Sequence, residues 1–162
     1  MIKRAIEERI HNALAKKKVV TIMGPRQVGK SALADAIIPK DAKVLEINGD
    51  STDVQTMFVN VDEAKMKVLI GNKNFLFVDE AQKIENVGNM LKIVAEKFKD
   101  VKIIVTGSSA FKLAEAVNES LTGRKREFRL YPLSFKEMAD ETSTLEESRM
   151  IDHRLIYGYY PE

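Results

Sequence analysis

The chain has few of the residues that build disulfides, thiolate metal sites or histidine clusters. It contains no cysteine, and the two histidines among its 162 residues, His11 and His153, lie far apart. The lack of cysteine excludes disulfides, thiolate zinc sites and cysteine nucleophiles, and the separation of the histidines argues against a histidine metal site. With 8 glycines, 4 prolines and 44% hydrophobic residues, the composition also excludes collagen-like, low-complexity and disordered classes.

Neither sign of charge dominates, and long apolar runs are absent. Lysine and arginine total 26 against 24 acidic residues, so the net charge of +2 does not by itself indicate a nucleic-acid or membrane partner. No apolar run approaches the ~18 residues that span a bilayer. Charged residues also interrupt the N-terminal segment where a signal peptide would have its apolar core. We therefore expect a single cytoplasmic domain with a well-filled core and no membrane partner.

Hydrophobic periodicity predicts strands and helices in alternation. Short apolar runs rich in β-branched residues predict strands at 19–23, 43–47, 75–78, 102–106 and 128–131. Apolar residues at helical spacing predict helices at 2–15, about 30–38, from near Ser51 or Thr52 through Leu69, 87–98, 110–117 and 145–157. This alternation predicts a three-layer α/β fold, in which helices cover both faces of a mostly parallel sheet.

A phosphate-binding motif separates the first predicted strand from the helix that follows. Residues 24–31 read GPRQVGKS and match G-x-x-x-x-G-K-[ST] without deviation. The glycines let successive backbone N–H groups face a phosphate, and the N-terminus of the following helix favours an anion. Lys30 is expected to reach the β- and γ-phosphates of ATP, and the Ser31 hydroxyl to ligate Mg²⁺. The predicted nucleotide-binding residues are Gly24, Pro25, Arg26, Gln27, Val28, Gly29, Lys30 and Ser31.

Two carboxylates, Asp79 and Glu80, follow the uniformly apolar strand at 75–78. In open α/β sheets, ligands bind at the carboxyl ends of the strands. Asp79 is therefore predicted to hold Mg²⁺ through water, opposite Ser31, and Glu80 to polarise an attacking water. The alternative is an acidic turn exposed to solvent.

The fourth predicted strand ends in polar residues, Thr106-Gly107-Ser108-Ser109. A serine at this position could contact the γ-phosphate or the attacking water, and Ser108 is our candidate for that catalytic contact. The competing interpretation is a helix N-cap, because serine is among the best capping residues. The two serines could divide these roles between them.

Five segments together resemble the AAA+ superfamily of P-loop ATPases, and especially a prokaryotic and archaeal branch whose longer members carry a C-terminal domain of unknown function. The segments are GPRQVGKS at 24–31, FVDEAQ at 77–82, TGSS at 106–109, LTGR at 121–124 and LYPLSF at 130–135. The resemblance implies a P-loop NTPase fold with a five-stranded sheet in the order 5-1-4-3-2, a magnesium-dependent ATPase, and often an oligomer. It also implies that residues 1–162 are one ATPase core, truncated before a helical lid and a C-terminal domain. A naturally short protein is the alternative.

A basic cluster lies near the predicted fifth strand and comprises Arg124, Lys125, Arg126 and Arg129. By the family resemblance, Arg124 looks like an arginine finger that enters the ATP site of a neighbouring subunit in a homo-oligomer. The cluster could instead bind the phosphate backbone of a nucleic acid, or form an ordinary solvated loop.

The sequence as a whole predicts magnesium-dependent ATP binding and hydrolysis, slow in the isolated core. Two alternatives remain. One is a binding module that ATP switches, and the other is a nucleic-acid-stimulated ATPase, in which turnover is incidental or depends on a partner.

Overall fold

Short runs of β-branched and aromatic residues form the strands of a parallel sheet, and the segments between them form helices. The computed structural model describes residues 2–108 and 121–161. The strands in these ranges are β1 (Val19–Met23), β2 (Val44–Asn48), β3 (Phe75–Asp79), β4 (Lys102–Gly107) and β5 (Lys125–Arg129). The helices are α1 (Glu7–Ala15), α2 (Lys30–Ile37), α3 (Thr52–Phe58), α4 (Glu63–Ile70), α5 (Val87–Lys97), α6 (Phe135–Glu141), α7 (Thr144–Arg149) and α8 (Ile151–Tyr157), with a turn of 3-10 helix at Ala81–Lys83. Within the described ranges, no helix has the length and apolar character needed to cross a membrane.

The strands run parallel to their neighbours in the order β2-β3-β4-β1-β5. This is the order 5-1-4-3-2 read from the other edge, so the α/β P-loop NTPase fold and its predicted topology are confirmed. Parallel strands end at a common edge of the sheet. The residues that follow β1, β3 and β4 are therefore brought together although they are distant in sequence.

Helices cover both faces of the sheet and enclose a hydrophobic cluster on each. Along β4, Ile104 belongs to the cluster beneath α1 and α2, whereas Val105 belongs to the cluster beneath α4 and α5. Successive side chains of a strand point to opposite faces, so each inner strand contributes to both clusters. The uniformly apolar run at 75–78 in β3 correctly predicts a strand covered on both sides.

Two predicted helices are each divided in the structure. The stripe from Ser51 through Leu69 forms α3 and α4, because Asp62 begins a new helix by accepting a hydrogen bond from the Lys65 N–H at 2.7 Å. The helix predicted at 145–157 forms α7 and α8, which meet at Met150, where ψ is −2°. In both cases the apolar spacing continues across the break, so periodicity alone does not locate it.

Two other elements begin at a different residue from the one predicted, and one helix was not predicted. Helix α1 begins at Glu7 rather than at residue 2, and β5 begins at Lys125 rather than at Phe128. Strand β5 lies at an edge of the described sheet, and its first three residues are charged, so no apolar run marks where it begins. Helix α6 was not predicted, because it is short and buries none of its residues. The helix predicted at 110–117 lies outside the described residues.

Helix α6 is tied to the N-terminal segment through Glu137. Its Oε1 accepts hydrogen bonds from Arg4 Nε at 3.1 Å and from the Ala5 N–H at 2.8 Å. Its Oε2 accepts from the Ser134 N–H at 2.8 Å, which completes a capping box at the start of α6. Burial opposes ionisation of this carboxyl, but the hydrogen bonds from Ser134, Ala5 and Arg4 outweigh it and lower the pKa of Glu137 below 4.5.

A group whose pKa is lowered by folding stabilises the native state above its unfolded pKa and loses that contribution as the pH falls. We therefore expect the unfolding free energy to decline as the pH drops below about 4.5, and part of this decline to come from Glu137. Urea denaturation of the parent and of Glu137→Gln between pH 3 and 7 measures that part. The variant should be less stable at pH 7 and should show a shallower decline. Parallel pH curves for the two proteins would contradict the assignment.

Candidate active site

The phosphate-loop motif connects β1 to α2 at the carboxyl edge of the sheet. Its first residue, Gly24, donates a backbone hydrogen bond to Gly107 O at the end of β4, at 3.3 Å. A Cβ on Gly24 would lie 2.3 Å from the carbonyl oxygen of Leu130, so only glycine fits between β4 and the segment after β5. The neighbouring strands therefore fix where the loop starts.

The loop borders an open cleft of about 610 Å³. The cleft is lined by Arg26, Gln27, Gly29, Lys30, Ser31, Ala32, Asp50, Glu80 and Pro161. Six of these residues were predicted from the motifs. Ala32, which directly follows the motif, was not among the predicted residues. Asp50 and Pro161 were not predicted either, because they reach the cleft from the turn after β2 and from the segment after α8, which carry no local signature.

Lys30 extends across the loop toward its carbonyl groups. Its Nζ donates to Pro25 O at 2.8 Å and to Gly24 O at 3.1 Å, and its side chain is only 5% exposed. The same Nζ lies 3.9 Å from Glu80 Oε1. A nearly buried ammonium between the loop and a carboxylate is well placed to meet a phosphate anion entering the cleft.

Ser31 and Asp79 come together across the edge of the sheet. Ser31 Oγ donates to Asp79 Oδ2 at 2.7 Å, and the fully buried Thr106 donates from Oγ1 to Asp79 Oδ1. The Asp79 carboxylate is thereby fixed in orientation by β4 and faces the first turn of α2. Thr106 was part of a quoted motif but received no role from the sequence. Its role depends on the pairing of β3 with β4.

Glu80 occupies a backbone conformation that few residues of its type adopt. Its φ is +47°, in the left-handed region, and its N–H donates to Asp79 Oδ1 at 3.1 Å and to Thr106 Oγ1 at 3.3 Å. Left-handed conformations of non-glycine residues cost about 1–3 kcal/mol and cluster at functional sites. The surrounding hydrogen bonds hold this backbone in place.

The Glu80 side chain joins a three-residue hydrogen-bond network. Ser108 Oγ donates to Glu80 Oε2 at 3.0 Å, and Gln82 Nε2 donates to the same oxygen. Gln82 Nε2 also lies 3.0 Å from Ser108 Oγ. The structure thus places Ser108 beside the predicted catalytic carboxylate, whereas Ser109 lies outside the described residues. Gln82 was part of the FVDEAQ segment but received no role from the sequence, because it lies two residues beyond the acidic pair, within a turn of 3-10 helix.

Arg124 lies at the amino ends of the strands, on the opposite side of the sheet from this cleft. Its carbonyl oxygen accepts from the Val19 N–H at 2.9 Å, at the start of β1, whereas the phosphate loop follows the end of β1. The Arg124 side chain is 52% exposed and pairs with Glu96, whose pKa its hydrogen bond lowers. Five residues of strand extend over about 16 Å, so Arg124 does not reach the phosphate loop of its own chain.

The other basic residues continue along β5. Arg126 and Arg129 are exposed on this strand, which is an edge of the sheet in the part of the chain that the structure describes. Charged side chains on an edge strand discourage pairing with the sheet of another molecule. This arrangement gives the cluster a structural role in addition to the functional ones considered from sequence.

Comparison with protein families and curated relatives places the chain among AAA proteins. A family model described as an AAA domain matches residues 16–139. An uncharacterised protein of Methanocaldococcus jannaschii is 27% identical over 174 residues, which cover 98% of this chain and 39% of the relative. An uncharacterised protein of Mycobacterium tuberculosis is 25% identical over 142 residues, which cover 87% of this chain and 31% of the relative. The chain therefore spans less than two fifths of the length of these relatives.

Solved structures share the fold at low sequence identity. The ORC1 protein of Aeropyrum pernix, determined in complex with DNA, matches with a TM-score of 0.57 and 12% identity, over 90% of this chain and 48% of that one. The Pif1 helicase of Candida albicans matches with a TM-score of 0.52 and 13% identity, over 87% of this chain and 42% of that one. The family match, the sheet order and the phosphate loop at the carboxyl edge all agree, and the chain belongs to the AAA domain family of P-loop ATPases.

Proposed function

We propose that the chain binds ATP with Mg²⁺ and hydrolyses it, slowly when alone. The observation that carries this proposal is the convergence of Lys30, Ser31 and Glu80 around one cleft at the carboxyl ends of the strands, where Asp79 accepts a hydrogen bond from Ser31. These residues come from two separate motifs, and the parallel order of β1, β4 and β3 brings them together. AAA membership supports nucleotide binding, whereas hydrolysis and the dependence on magnesium are the proposed part.

The donor atoms present suit a hard divalent cation. Ser31 Oγ and Asp79 Oδ2 lie 2.7 Å apart, and both are oxygen ligands of the kind that Mg²⁺ accepts, directly or through water. Ser31 and Asp79 are therefore the residues that would hold Mg²⁺, which when bound neutralises charge on the β- and γ-phosphates. Thr106 orients the Asp79 carboxylate for that task.

Glu80 is the proposed acceptor for the proton of the attacking water. Attack forms a bond from the water oxygen to the γ-phosphorus, the bond from that phosphorus to the bridging oxygen breaks, and ADP leaves. The water proton passes to a carboxylate oxygen of Glu80. Ser108 and Gln82 both donate to Oε2 and so fix the orientation of the carboxylate, while Oε1 faces Lys30 at 3.9 Å.

The experiment that tests nucleotide binding is calorimetric titration of Mg·ATP into the parent and Lys30→Ala. One charge-assisted contact to phosphate contributes ~1.5–3 kcal/mol, so we expect the affinity to fall by at least tenfold. A thermal melt should show that the fold survives, because Lys30 pairs chiefly with loop carbonyls rather than with the core.

Lys40→Ala is the matched control, since it removes the same charge from an exposed position beyond the other end of α2. It should bind Mg·ATP like the parent. Equal affinities in the parent and Lys30→Ala would exclude the assigned role of the phosphate loop.

A further inference from the structure

Arg4 is a buried cation that touches the phosphate loop at Val28. Its side chain is 7% exposed, and its guanidinium donates to acceptors from three parts of the chain. Nη1 donates to Val28 O at 3.1 Å, Nη2 to Tyr131 O at 2.6 Å, and Nε to Glu137 Oε1 at 3.1 Å. Arg4 precedes the motif by some twenty residues, and its sequence neighbourhood carries no nucleotide-binding signature.

The contact with Val28 fixes the orientation of one peptide group in the loop. The Val28 carbonyl and the Gly29 N–H belong to the same planar trans peptide, so they point in opposite directions. With its carbonyl held by Arg4, this peptide directs the Gly29 N–H away from Arg4. Gly29 itself lines the cleft and has a φ of +90°, a conformation in which successive N–H groups form an anion-binding concavity.

The contact between Arg4 and the Val28 carbonyl also makes the Gly29 N–H a stronger hydrogen-bond donor. A guanidinium that donates to a carbonyl polarises the whole peptide group, and this polarisation is less screened in a buried site than in water. The positive charge of Arg4 is balanced by Glu137, whose side chain is 11% exposed, so the arrangement does not leave an unpaired buried charge. A Cβ on Gly29 would lie 3.9 Å from Arg4 Nη1 and 3.3 Å from Pro161 Cγ, so the packing around this peptide is close.

We propose that Arg4 is a positioning residue, which aims and polarises the Gly29 N–H toward a phosphate of the bound nucleotide. The inference rests on the proposed nucleotide-binding function and deepens it. A purely structural alternative exists, in which Arg4 only anchors the N-terminal segment to α6 through Glu137. The two roles make different predictions. If Arg4 positions the peptide, replacing it changes the nucleotide affinity and the Gly29 amide resonance beyond what any loss of stability causes. If Arg4 is purely structural, both change only as far as stability does.

The test uses Arg4→Lys and Arg4→Ala, with Ser134→Ala as the matched control. Arg4→Lys keeps a cation beside Glu137 but loses the planar fork that reaches three acceptors, so it should remain folded. Arg4→Ala removes the contact entirely and is interpreted only where a thermal melt shows a folded chain. Ser134→Ala weakens the same α6 anchor by removing its capping hydroxyl and leaves Arg4 intact.

Two quantities are measured for each variant: the affinity for Mg·ADP, and the ¹H–¹⁵N resonance of the Gly29 amide without nucleotide. We expect Arg4→Lys to bind several-fold more weakly, and Arg4→Ala about tenfold more weakly, which corresponds to 1.4 kcal/mol. The Gly29 resonance should move in both variants. Ser134→Ala should lose stability while keeping the parental affinity and the parental Gly29 resonance.

The outcomes separate this inference from the proposed function. A parent that fails to bind Mg·ADP would remove the proposed function itself. A parent that binds, with Arg4→Lys showing the parental affinity and Gly29 resonance, would overturn the role of Arg4 alone. Losses of affinity that are as large in Ser134→Ala as in the Arg4 variants would overturn it too, because they would follow stability rather than the Val28 contact.

Discussion

Replacing Glu80 by glutamine is expected to leave Mg·ATP binding near normal and to slow hydrolysis by roughly 10²–10⁴-fold, the usual share of a general base. The amide preserves the shape of the side chain but does not accept the proton of the attacking water. One of its terminal atoms can still receive the hydrogen bonds that Ser108 and Gln82 donate to Oε2. Single-turnover phosphate release, with nucleotide affinity measured in parallel, separates the loss of chemistry from any loss of binding.

Glu85→Gln is the matched control, because it makes the same change at an exposed position shortly after the 3-10 turn. It should hydrolyse ATP at the parental rate. If Glu80→Gln also kept that rate, Glu80 would have no part in the chemistry. The binding module switched by ATP would then describe the protein better than an ATPase.

Replacing Arg124 by alanine is expected to leave ATP binding unchanged and to reduce turnover by up to ~10³-fold in an assembled oligomer. A finger supplied by a neighbouring subunit makes its contact chiefly in the transition state, so it contributes little to ground-state affinity. The position of Arg124 fits a role in trans, because it lies at the amino ends of the strands, whereas the cleft of its own chain lies at their carboxyl ends. To act in this way, it must leave the exposed ion pair with Glu96.

Mixing Arg124→Ala with Glu80→Gln tests the action in trans. In a mixed assembly, some interfaces pair an intact Glu80 site with an intact Arg124 from the neighbour, and activity should partly return. Arg126→Ala is the control, since this arginine is exposed as well and lies two residues further along the chain, on β5. A mixture that stays inactive while assembly is confirmed would exclude Arg124 as a finger.

Local sequence predicts the parts of this fold and site that depend on local physics. The phosphate loop needs its glycines and lysine in fixed order along one turn, so the eight residues at 24–31 identify it directly. The inner strands are covered on both faces, and their continuous apolar runs therefore predict β1, β3 and β4 almost to the residue. The acidic pair spans the end of β3, with Asp79 as its last residue and Glu80 directly after it, and its place at the carboxyl edge follows from the parallel sheet.

Other features depend on contacts between distant segments and leave little trace in the sequence. Thr106 and Gln82 acquire their contacts with Asp79 and Glu80 only when β3 pairs with β4 and the 3-10 turn forms. Arg4 contacts Val28 across 24 positions and Glu137 across 133, a separation that no spacing rule spans. The start of strand β5 was predicted three residues too late, at Phe128 rather than Lys125, because an edge strand tolerates the charges that a central strand excludes.

The most direct test of the central claim compares the affinities of ATP, ADP and AMP for the parent chain by calorimetry, with and without magnesium. If the loop at 24–31 binds a nucleotide through its phosphates, ATP and ADP should bind far more tightly than AMP. Magnesium should strengthen the binding of ATP, through Ser31 and Asp79. Binding of AMP as tight as that of ATP, or no binding of ATP at millimolar concentration, would contradict the account.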